Sequence, residues 1–165
     1  MTIAELNACD RARFVDLLGL VVEASPWVAE RAWTHRPFTG VEQLHAAMMQ
    51  EVEGATRDEQ LRLLRAHPDL GTRMRMSDSS TGEQAGAGLD RLAPGELETL
   101  QRLNAAYRAT FGFPFLFAVK GSTTQQVLDA LEQRLPRTAE DEFAEALRQV
   151  FRIARFRLDD LIRSG

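Results

Sequence analysis

Apolar residues recur at helical steps along almost the whole chain. The clearest stripe lies between Thr138 and Ile162, where Phe143, Leu147, Val150, Phe151, Ala154, Leu158 and Leu161 fall on one face of a single long helix. Thr138 suits its N-cap, and Asp141 and Glu142 suit the positive end of its first turn. A second stripe starts at Pro94 and carries Leu97, Leu100, Leu103, Tyr107 and Phe111. Proline is favoured at a first helical position because its missing N–H needs no partner there. Shorter patterns predict helices over 10–23, 27–34, 41–52, 57–66, 83–92 and 122–134. Ser122-Thr123-Thr124-Gln125 reads as a capping box opening the last of these. No stretch alternates apolar and polar residues in a way that demands a sheet. Phe113 to Val119 is apolar and aromatic but contains Pro114 and follows Gly112, so it predicts an extended, buried connector. The expected fold class is all-α, a single-domain bundle of about eight helices over residues 1–165.

Composition narrows the function classes. With 165 residues, 44% of them hydrophobic and 27% charged, the chain suits one folded domain and excludes disorder. The net charge is -4, and Lys120 is the only lysine among 20 basic residues. A mildly acidic surface repels phosphate backbones, so a nucleic-acid partner is not expected. Cys9 is alone and forms no internal disulfide, and no Cys/His cluster has metal spacing, so no metal site is expected. No apolar run approaches the roughly 20 residues of a membrane span. The start lacks a leader pattern and the end, Arg163-Ser164-Gly165, is not a peroxisomal tripeptide. A soluble cytoplasmic protein with no membrane partner is expected.

Candidate chemistry gathers at a few places. In Ala66-His67-Pro68-Asp69-Leu70-Gly71, Pro68 pushes His67 out of the α region, so His67 should sit where a helix ends. The carbonyl end of a helix favours the imidazolium, which suits a group that holds a proton and then gives it up; helix capping is the bland alternative. Ser80-Thr81-Gly82-Glu83-Gln84 has the S-x-x-E pattern of a capping box, and Gln84 adds an amide suited to a ureido group. In the Phe113–Val119 connector, N–H and C=O groups outside a helix ladder must find partners, either neighbouring chain or a small polar ligand. On the last helix, Arg148 and Arg152 point away from the apolar stripe, while Arg155 and Arg157 flank it on opposite sides. Either could carry a carboxylate on its guanidinium fork, and periodicity does not choose between them. His35 and His45 read as structural or exposed, and no nucleophile with a neighbouring base is evident.

Taken in order, these segments resemble a known family, the OHCU decarboxylases, which complete the conversion of uric acid to allantoin. Their substrate is 2-oxo-4-hydroxy-4-carboxy-5-ureidoimidazoline (OHCU). The likeness rests on Glu23-Ala24-Ser25-Pro26-Trp27, Arg36-Pro37-Phe38, Ala66-His67-Pro68-Asp69-Leu70 and Ser80-Thr81-Gly82-Glu83-Gln84-Ala85-Gly86-Ala87-Gly88-Leu89. It continues through Leu103-Asn104-Ala105-Ala106-Tyr107, Phe111-Gly112-Phe113-Pro114-Phe115 and Arg155-Phe156-Arg157-Leu158, and so covers nearly the whole chain. The resemblance implies an all-helical homodimer that uses no cofactor. It implies His67 as the catalytic acid/base, assisted by Glu83. Pro68, Ser80 and Gln84 then line the substrate pocket, and the backbone of Phe115, Leu116, Phe117, Ala118 and Val119 bonds the ring and ureido groups. Arg157 is the arginine that binds substrate by the same match. A helical module of the same fold that binds a ligand or partner without catalysis is the alternative.

Overall fold

Helices Arg57–Ala66 and Pro94–Phe111 have the limits that the apolar pattern predicts. The computed structural model describes residues 1–70 and 94–163, and every named element in them is a helix. Contacts divide the chain into two units, Met1–Ala66 with Phe151–Gly165, and His67–Val150.

The first unit holds α1 (Ile3–Ala8), α2 (Arg11–Leu18), α3 (Pro26–Ala32), a 3₁₀ turn (Trp33–His35), α4 (Val41–Glu53) and α5 (Arg57–Ala66). Helix α1 is absent from the expectation. Its cue is Thr2-x-x-Glu5: Thr2 Oγ1 accepts the Glu5 N–H at 3.2 Å and the Glu5 carboxylate accepts the Thr2 N–H at 3.1 Å. Asp10 caps α2 by accepting the Arg13 N–H at 2.8 Å. This helix ends at Leu18 rather than at Glu23. Gly19 follows, where a Cβ would stand 2.6 Å from the Val15 carbonyl oxygen, and Val21 and Val22 are both buried although adjacent. Helix α3 starts on Pro26, and its end tightens into the 3₁₀ turn. Leu6, Phe14, Leu18, Leu44, Met48, Val52 and Leu64 form the unit's core. Burying each such side chain contributes about 1.5–3 kcal/mol.

The second unit holds α6 (Pro94–Phe111), α7 (Thr124–Arg134) and the part of α8 (Ala139–Leu161) up to Val150. Helix α7 begins one register later than expected: Thr123, not Ser122, is the cap, and it closes its capping box with Gln126 rather than Gln125. Thr138 caps α8 as expected, accepting the Asp141 N–H at 3.2 Å. Leu100, Tyr107, Phe115, Leu131 and Phe143 line the core of this unit. The helix expected over 83–92 lies outside the described residues. No helix of the described residues is long and apolar enough to cross a membrane.

Candidate functional site

Helix α5 stops at Ala66 and His67 opens a non-helical turn, the place that the following proline dictates. The imidazole is buried, with 4% of the residue exposed, and Pro68 is half-buried. Two side chains one turn apart on α6 tie down the residues that follow. Asn104 Nδ2 donates to the Leu70 carbonyl at 2.9 Å, and Arg108 Nη2 donates to Asp69 Oδ1 at 3.2 Å. The buried bond contributes more rigidity than the exposed ion pair, which is worth at most about 1 kcal/mol.

The connector after α6 is non-helical and buried at Phe113, Phe115, Leu116, Ala118 and Val119. Its backbone is held from α7 and α8. The Leu116 carbonyl accepts from Arg134 Nη1 at 2.7 Å, and the Ala118 N–H donates to Gln149 Oε1 at 2.9 Å. Those two groups are thereby committed to protein partners. Arg134 itself is anchored: its Nε donates to Glu142 Oε1 at 2.7 Å and its guanidinium lies 4.5 Å from the Phe115 ring centre. The Tyr107 hydroxyl donates to the same Glu142 oxygen at 2.5 Å, and Arg137 stands 3.2 Å from the other. Burial, then the bond to Glu142, pushes the Tyr107 hydroxyl above the usual phenol range, so it stays protonated and donates.

In the first unit, Arg157 is buried, with 3% of its side chain exposed, whereas Arg155 is 36% exposed and pairs with Asp159 at 3.0 Å. Burial thus separates the two arginines that periodicity left equal. Arg157 Nη1 donates to the Val21 carbonyl at 3.2 Å and to Glu23 Oε2 at 3.3 Å. Glu23 precedes Ala24, which has φ 45°, a left-handed conformation that costs an L side chain about 1–2 kcal/mol. Ala24→Gly is therefore expected to raise unfolding stability by about 0.5–1 kcal/mol, read from the urea midpoint. A cleft of about 550 Å³ in this unit, lined by Thr39, Gly40, Arg155 and Asp159 among others, contains none of the site residues that the family resemblance implies. His35 pairs with Glu51 at 2.7 Å, and His45 bonds the Phe151 carbonyl at 2.8 Å, in keeping with the structural roles expected of them.

Ser80, Glu83 and Gln84 lie outside the described residues. Sequence reasoning passed over Glu23, Asn104, Arg134, Glu142 and Gln149 as anchors of these segments. Their signal was a polar residue set in or beside an apolar stripe, as Asn104 is between Leu103 and Tyr107.

Comparison with known proteins bears on the chain as a whole. The family model described as OHCU decarboxylase matches residues 7–159. A Halalkalicoccus jeotgali protein named 2-oxo-4-hydroxy-4-carboxy-5-ureidoimidazoline decarboxylase is 48% identical over 161 residues, covering 98% of this chain and 92% of that protein. A Haloferax volcanii protein of the same name is 48% identical over 164 residues, covering 99% and 98%. The crystal structure of an (S)-allantoin synthase superposes with a TM-score of 0.79 at 36% identity, and 98% of this chain spans 54% of that one.

Proposed function

Because the chain belongs to the OHCU decarboxylase family, it is a carboxy-lyase that converts OHCU to allantoin in uric acid degradation, and we propose that His67 is its general acid/base. The observation that carries the assignment is the burial of His67 in a turn whose next residues are held by α6.

The substrate's leaving carboxylate sits on a carbon next to a ring C=N. As the carbon–carbon bond breaks, its electron pair moves toward the imine nitrogen and carbon dioxide departs. The ring thereby acts as its own electron sink, the task that a cofactor such as pyridoxal phosphate performs elsewhere. The hydroxyl proton of the enol-like product passes to the ring nitrogen as that hydroxyl becomes the ring carbonyl, and one further proton is taken up on the carbon bearing the ureido group. That carbon is the stereocentre of allantoin. An acid fixed on one face therefore sets the hand, and delivery by His67 gives the S product.

Glu83 assists His67 in this scheme, and Ser80, Gln84 and Pro68 contribute to the pocket, by likeness to the family. Arg157 binds the substrate: its buried guanidinium is a fork suited to carboxylate. The backbone at Phe115–Val119 bonds the ring and ureido groups, through groups other than the Leu116 carbonyl and the Ala118 N–H, which already have protein partners. A cytoplasmic homodimer belongs to the same proposal. The test follows freshly prepared OHCU by ultraviolet absorbance and circular dichroism. Catalytic amounts of protein are expected to speed loss of the substrate and to give one-handed allantoin. An unchanged rate with racemic product would mark a binding module instead.

A further inference from the structure

Asn104 carries more than the tether to the His67 turn. Helix α6 buries Leu100, Leu103 and Tyr107 on the same stripe, and Asn104 is the polar member of that set, 4% exposed. Its Nδ2 is fixed on the Leu70 carbonyl at 2.9 Å. Turning the amide over would set its oxygen against that carbonyl oxygen, so the orientation is determined. Oδ1 is then a buried acceptor, and among the described residues no donor meets it. A buried amide oxygen without a donor is destabilising, and such groups in folded proteins are normally matched by a partner.

An N–H of a bound ligand is a donor suited to that acceptor. OHCU and allantoin are crowded with ureido and ring N–H groups, and Asn104 is bonded to the turn that begins at His67. We propose that Asn104 Oδ1 accepts a hydrogen bond from an N–H of the bound substrate or product, so that one amide both holds the His67 turn and contacts the ligand. This inference rests on the decarboxylase reading above.

The experiment is calorimetric titration of the full chain with (S)-allantoin, together with steady-state kinetics on OHCU. Asn104→Leu removes donor and acceptor, whereas Asn104→Asp keeps the acceptor and loses the donor. Asn104→Ala replaces the leucine variant if that one does not fold, as judged by its melting temperature. The expected result is an allantoin affinity about tenfold weaker in Asn104→Leu, the loss of one net hydrogen bond of about 1.4 kcal/mol. Asn104→Asp should bind within about threefold of the parent while kcat falls, because only the tether is lost. Arg108→Ala, which cuts the neighbouring tether to Asp69, should leave allantoin affinity unchanged. Equal affinity in the parent and both Asn104 variants overturns the contact, as does an equal loss in both. A parent that neither binds allantoin nor turns over OHCU overturns the decarboxylase reading and this contact together. A parent that does both while the Asn104 variants bind normally overturns the contact alone.

Discussion

His67→Ala is expected to lower kcat on OHCU by about a hundred- to ten-thousand-fold, the usual contribution of a positioned general acid or base. The allantoin that still forms should be racemic. The two readouts belong together because the substrate also decays unaided, and that decay gives both hands. A residue that only caps α5 would change stability and leave both rate per folded molecule and optical purity intact. His67→Asn separates the cases further, since it keeps a short hydrogen-bonding side chain at the helix end but cannot exchange a proton near neutral pH. It should match alanine in rate and hand while melting closer to the parent. Parental rate and parental circular dichroism in either folded variant would remove His67 from the chemistry.

Much of this is legible in the sequence, and the reason is physical. A long helix writes its buried face into the spacing of its apolar residues, so α5, α6 and α8 fall where the pattern puts them. Helix α1 has only one fully buried apolar residue, Leu6, and periodicity has nothing to count there; its capping box was the available signal. Helix α2 ends at Leu18, before Gly19, and beyond it Ala24 is left-handed, a conformation of which alanine gives no warning. At the site, local chemistry was readable and long-range chemistry was not. Pro68 places His67 at a helix end from the adjacent residue alone. The distinction between Arg155 and Arg157 arises from Glu23, 134 positions away from Arg157, and from burial that no spacing rule resolves. Likewise the connector could be read as buried backbone in need of partners, but not that Arg134 and Gln149 would supply them.

Arg134→Met should cost about 3–5 kcal/mol of stability, the loss typical when one member of a buried ion pair is removed. Glu142 is 0% exposed, and Arg134 Nε is one of its close donors at 2.7 Å. Without the guanidinium, the carboxylate keeps Tyr107 and Arg137 but loses a charge partner in a site closed to water. The Leu116 carbonyl loses its donor at the same time. The comparison that isolates the cause is the double variant Arg134→Met/Glu142→Leu, which removes the orphaned charge. It should be more stable than Arg134→Met alone, because a well-packed apolar pair often matches a buried ion pair in stability. Denaturant midpoints at neutral pH measure both. If the double variant is instead as unstable as the sum of the single changes, the charge is not the source of the loss. The damage would then lie with the freed Leu116 carbonyl. In that case allantoin binding, which the connector backbone is proposed to share, should fall in both variants to the same extent.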